Sequence, residues 1–148
     1  MSDAAQVPGP VRREVLVAAA PERAFDLFTG RIGAWWPLAR FSVFEQDNDV
    51  VFEEGRLIER AADGRESVWG TVTEWDPPGS LGFTWHPGYG EEQSTDIRVT
   101  FEATGPETLV TLVHTGWERM TDPFASAEEY GNGWPSVLAA FSALVTGR

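Results

Sequence analysis

No cysteine and no lysine occurs among the 148 residues, and the 11 basic residues, all arginine, face 23 acidic ones for a formal net charge of -12. The missing cysteine excludes a disulfide scaffold, a thiol nucleophile and any thiolate metal site. Two histidines stand far apart with neither HxH nor HExxH spacing, so no zinc site or other metal is expected. A strongly negative chain with scattered arginines repels phosphate backbones, which argues against nucleic acid and anionic lipid as partners. No run of roughly 18 apolar residues is present. The start, MSDAAQVPGPVRREV, lacks the basic and apolar segments of a secretory signal. The expectation is a cytoplasmic protein without membrane insertion. At 16.3 kDa the folded surface should be roughly 7,500 Å² against about 24,000 Å² extended, the proportion of one domain. A leader over residues 1–10, with two prolines and a glycine, should precede that domain at 11–148.

What the chain does have is aromatic mass, with seven tryptophans and nine phenylalanines. Val15 and Val17 at period two mark a first strand over Val11 to Val17. Pro21 opens a short helix with Ala24, Phe25 and Phe28 on one face and Gly30 at its end. A second short helix from Arg31 carries Trp35 and Trp36 and stops at Pro37. From about Phe41 to Thr115 the helical period gives way to short β-rich runs separated by turns at roughly ten-residue spacing. Strands are expected over Val50 to Phe52, Arg56 to Arg60, Ser67 to Trp75, Leu81 to Trp85, Ile97 to Phe101 and Thr108 to Thr115. Alternation is cleanest where Ile97, Val99 and Phe101 interleave with Arg98, Thr100 and Glu102. Ser126 and Glu129 form a capping box for a long last helix, whose apolar stripe is Trp134, Leu138, Phe141 and Val145. Gly131, Gly133 and Pro135 predict a bend or a second start within it.

This order is α+β, with one long C-terminal helix covering a curved antiparallel sheet of six or seven strands and two short helices after the first strand. One helix cannot fill the concave face of such a sheet. Bulky aromatics either plug the remaining space or line a cavity.

The runs WGTVTEWDPPGSLGFTWHPG (Trp69 to Gly88), TLVHTGWERM (Thr111 to Met120) and GNGWPSVLAAFSAL (Gly131 to Leu144) resemble the SRPBCC, or START-like, superfamily. Within it they are similar to the branch named for the activator of the heat-shock chaperone ATPase, the AHSA type. The resemblance implies a helix-grip fold, related to the polyketide cyclases and the birch-pollen allergen, with a hydrophobic cavity between sheet and last helix. It implies that Trp35, Trp36 and Pro37 close one end of that cavity. Glu53-Glu54-Gly55-Arg56 departs from the glycine pair that relatives carry before the arginine. Superfamily members include lipid carriers, cyclases and aromatases, hormone receptors and chaperone activators, so fold alone does not choose an activity.

The expected ligand is an apolar or aromatic small molecule, with no cofactor, bound by a monomer or homodimer. Trp36, Phe52, Trp69, Val72, Phe83, Trp85, Val99, Phe101, Leu112, His114, Trp134, Leu138 and Phe141 are the expected lining. His114, in phase with Val110 and Leu112, is a hydrogen-bonding group or a general acid or base, or else a structural histidine bonded to a loop carbonyl. His86, before a proline, reads as an exposed turn residue. Glu74, in phase with Val72, points inward with Arg98 or Arg56 as partner, or outward to solvent. Met120, Phe124 and Tyr130 make Trp117 to Tyr130 an apolar loop suited to a lid or rim over the cavity mouth, together with Trp35 and Trp36, or else to docking onto the sheet edge. Three functions follow: binding without chemistry, a cyclase, dehydratase or hydrolase acting on aromatic or polyketide-like substrates through His114, and a co-chaperone module.

Overall fold

A computed structural model describes residues 7–37, 48–87 and 90–147, with the side chain of Glu91 excluded. Part of the expected leader, residues 1–6, and the segment 38–47 lie outside the described residues. The elements follow in the order β1 (Val11–Val17), α1 (Pro21–Gly30), α2 (Ile32–Trp35), β2 (Asn48–Glu53), β3 (Arg56–Ala61), β4 (Glu66–Asp76), β5 (Ser80–Trp85), β6 (Thr95–Thr104), β7 (Glu107–Thr115) and α3 (Pro123–Thr146). A 3₁₀ turn at Trp117–Arg119 joins β7 to α3.

The strands form one curved antiparallel seven-stranded sheet in the order β1-β7-β6-β5-β4-β3-β2. The first strand therefore pairs with the last, and α3 packs back across the concave face. This is the helix-grip arrangement. Alternation dictates the inner face of β6, where Thr95, Ile97, Val99 and Phe101 are buried. Phe101 then meets Phe25 and Phe28 of α1 edge to face, with ring centroids 5.2 and 5.6 Å apart.

Two irregularities break this simple parity in the middle of the sheet. Between β3 and β4, Leu57 pairs with Gly70 and Ile58 with Val68, so Trp69 is an extra residue. Between β4 and β5, Val72 pairs with Phe83 and Glu74 with Gly82, so Thr73 is extra. Each bulge reverses the face on which later side chains emerge. Val72 and Glu74 accordingly do not share a face, although they stand two residues apart.

The long helix departs from expectation at its start. It begins at Pro123, and the Asp122 side chain accepts the Ala125 N–H at 3.4 Å, so the cap is Asp122 with proline at the first helical position. Ser126 and Glu129 lie inside the first two turns instead of capping. Helix α3 runs unbroken through Gly131, Gly133 and Pro135, with no second start. The expected lid loop contracts to the few residues before Pro123, and Tyr130 belongs to the helix.

Candidate functional site

The aromatic residues converge on Trp36, the residue that follows α2. Its ring lies 5.2 Å from Trp69, 5.7 Å from Trp85 and 6.1 Å from Trp134, centroid to centroid. Beside these rings a cleft of about 80 Å³ opens, lined by Trp36, Trp85, Tyr130 and Trp134 together with Glu129, Gly133 and Val137. Of the expected lining, Trp36, Trp85 and Trp134 reach this cleft. Trp69 supports it from behind, and Phe83 packs on Trp85 at 6.1 Å. Val99, Phe101, Leu112, Leu138 and Phe141 are buried deeper, in one cluster with Phe28 and Trp35. Phe52 and Val72 lie apart from the cleft, on a groove that they share with Trp75, Glu53 and Glu54. Tyr130, expected in a loop over the cavity mouth, lines the cleft from α3, and Gly133 and Val137 lie outside the expected lining. Tyr130 and Val137 stand four residues before and three after Trp134, so extending the helical stripe in both directions finds them.

His114 is fully buried, and both its ring nitrogens are bonded. The Trp134 indole N–H donates to Nδ1 at 3.1 Å, and Nε2 lies 2.6 Å from the Thr95 hydroxyl. That hydroxyl donates its own hydrogen to the Trp85 carbonyl at 3.2 Å, so it can only accept from the imidazole. The tautomer follows: Nδ1 carries the lone pair and Nε2 the proton. Burial holds the imidazole far below its usual range, at about 3, and it is neutral at physiological pH. The chain Trp134, His114, Thr95, Trp85 ties α3 to β7, β6 and β5, and both of its ends line the cleft. A base at Nδ1 would first have to give up the Trp134 bond. The geometry therefore suits a group that positions the Trp134 indole against the backbone of Trp85.

A second polar group inside the sheet, Glu59 of β3, carried no signal in the sequence because an acid between Ile58 and Arg60 reads as solvent-facing. It is fully buried. Its Oε1 accepts the Trp69 indole N–H at 3.2 Å and its Oε2 the Asn48 amide at 2.6 Å. Trp69 is the bulged residue of β4, and this bond anchors its ring against Trp36 and Trp85. Glu74 instead pairs with Arg98 at 2.9 Å and accepts from Ser80 at 2.7 Å, on a different face from the aromatic interior. The Arg98 and Ser80 hydrogen bonds hold its carboxyl below the usual carboxylate range. His86 is buried where an exposed turn was expected, because its N–H bonds the Trp69 carbonyl and prolongs the sheet past β5. Among the described residues no group of three His, Asp or Glu side chains could hold a metal.

A family model described as activator of Hsp90 ATPase homolog 1-like protein matches residues 18–146. The chain belongs to this family. Fold and family together make it a small AHSA-type member of the SRPBCC class, as the three motifs implied. A comparison with curated proteins finds no match. Among solved structures, CalC from Micromonospora echinospora, a self-sacrificing resistance protein, is 28% identical with a TM-score of 0.70, over 92% of this chain and 93% of that one. Txn09, an anthrahydroquino-gamma-pyrone synthase complexed with SUM, is 29% identical with a TM-score of 0.61, over 93% and 97% of the two chains. The Aha1 dimer from Colwellia psychrerythraea is 16% identical with a TM-score of 0.61, over 93% and 96%, and shares the fold. No helix of the described residues is long and apolar enough to cross a membrane.

Proposed function

We propose that this protein binds an apolar or aromatic small molecule at the Trp36, Trp85 and Trp134 end of the space between sheet and C-terminal helix. The observation that carries the reading is the cleft itself, where three indoles and a tyrosine line a void beside the buried aromatic cluster. About 80 Å³ admits one small group, so a larger ligand enters only as lining side chains move aside. Tyr130, part-exposed on α3, is the ring with most freedom to do so. His114 keeps Trp134 and Trp85 in register and does no chemistry in this reading. The relation to Txn09 suggests polycyclic aromatic ketones as the first compounds to try.

Titration with alizarin, a hydroxylated anthraquinone, followed by tryptophan fluorescence and by amide shifts of Gly133 and Val137, tests the reading. Saturable quenching with shifts at those residues supports it, and Val137→Phe, which fills the cleft, should abolish both. Quenching that survives Val137→Phe unchanged would place the ligand elsewhere and remove the proposal.

The relation to a synthase also supports a cyclase-type reading, in which His114 passes a proton once the Trp134 bond opens. His114→Asn separates the two readings: it weakens binding in the first and abolishes turnover with binding intact in the second.

A further inference from the structure

The lining of the cleft has a chemical bias beyond being apolar. Trp36, Trp85 and Trp134 meet at steep angles, 53° between the first two, 51° between Trp85 and Trp134 and 76° between Trp36 and Trp134. Tyr130 lies 6.4 Å from Trp85 and 6.2 Å from Trp134. A group in the cleft is therefore bordered by four aromatic rings. The charged side chain on the wall is the exposed carboxylate of Glu129, and among the described residues the Trp85 indole N–H is buried with no hydrogen-bond partner and no basic side chain lines the cleft. Arg13 reaches α3 at Gly131, two residues from Glu129 and Gly133 and on another side of the helix.

From this we infer that the cleft is a subsite for a methylated ammonium group, the cationic end of the small molecule whose binding is proposed above. Aromatic faces attract a cation within about 6 Å of the ring centroid, and the attraction is largest for tryptophan and for a desolvated cation. A methylated ammonium is weakly hydrated and bulky, so it gives up little on leaving water. Hard cations such as Ca²⁺ take about six or more oxygen ligands, and among the described residues the wall supplies one carboxylate, that of Glu129. The volume of about 80 Å³ fits one compact branched head with the lining as it stands, whereas fused rings need the lining to open. Glu129 provides a counter-charge at the wall, and the net charge of -12 enriches cations near the surface while opposing anionic ligands.

The inference rests on the small-molecule reading, and the test separates their failures. Choline and its uncharged carbon isostere 3,3-dimethyl-1-butanol are titrated against the full chain at constant ionic strength, with tryptophan fluorescence and the Gly133 and Val137 amide shifts as readouts. Choline should bind about tenfold more tightly than the alcohol. Glu129→Gln should weaken choline about threefold while leaving the alcohol unchanged, and Tyr130→Leu should weaken choline further. Equal affinity for the two probes, or a choline effect reproduced by sodium chloride, overturns the ammonium subsite even where alizarin still binds. Failure of choline, the alcohol and alizarin together overturns both readings.

Discussion

The Nε atom of Arg13, on the edge strand β1, donates to the carbonyl oxygen of Gly131 in helix α3 at 3.0 Å. That carbonyl is the one left without a helical donor by Pro135, four residues on, which has no N–H. A proline inside a helix is thereby accommodated by a side chain from the strand beneath it. Gly131 permits the approach, because a Cβ there would lie 3.1 Å from the Arg13 guanidinium.

Arg13→Leu should cost about 1–3 kcal/mol in urea denaturation by stranding that carbonyl. The same substitution in a Pro135→Ala background, where the helical N–H is restored, should cost clearly less. Equal costs in the two backgrounds would show that Arg13 does not answer the proline.

Stability should depend on pH through His114. Its folded-state value of about 3 lies below the ordinary 6.5, so the unfolded chain binds the proton more readily. The contribution is fully present above about pH 6.5 and is lost progressively as pH falls toward 3, by on the order of 4 kcal/mol. Chemical denaturation of wild type and His114→Gln between pH 4 and 7 checks it, and the wild-type curve should fall more steeply. Parallel curves would mean that His114 does not titrate this way.

Two glycines should respond oppositely to alanine. Gly70 lies where β4 and β5 approach so closely that a Cβ would overlap the Thr84 carbonyl oxygen, and backbone cannot move aside there. Gly70→Ala should cost several kcal/mol or prevent folding, by the same logic as core overpacking. Gly30, the last residue of α1, has no atom within 4 Å of a built Cβ, and Gly30→Ala should be neutral or stabilising by about 0.5 kcal/mol. Thermal denaturation of the pair decides, and a tolerated Gly70→Ala would refute the close approach.

Glu59→Gln replaces one of two accepting oxygens by a donor facing the Asn48 amide or the Trp69 indole. The expected loss is about 1–3 kcal/mol, with a changed near-ultraviolet circular dichroism as the Trp69 ring loosens. A Glu59→Gln variant with unaltered stability and spectrum would contradict the anchoring role.

Much of the fold was legible because β1 and the first part of β6 alternate and α1 carries proline and glycine at its two ends. The last helix was found by its stripe but started too late, since Ser126 and Glu129 imitate a capping box while Asp122-Pro123 makes the cap. The central strands resisted reading because Trp69 and Thr73 are inserted residues, and a pattern of period two loses its phase at each. Those bulges also concealed the site. They put Glu59 and Trp69 together inside the sheet and send Glu74 to a different face from Val72. The chain from Trp134 through His114 and Thr95 to Trp85 joins four elements, and no local pattern encodes such a contact.

The crowding of the indoles also makes this molecule its own optical instrument. Trp35, Trp36, Trp69, Trp85 and Trp134 form an unbroken series with successive centroids 5.8, 5.2, 5.5 and 5.4 Å apart, while Trp75 stands outside it, half exposed. At such separations an excited indole passes its energy to a neighbour faster than it emits. Light absorbed by any member of the series drains to whichever ring lies lowest, so a single quencher touching that ring would darken all five at once.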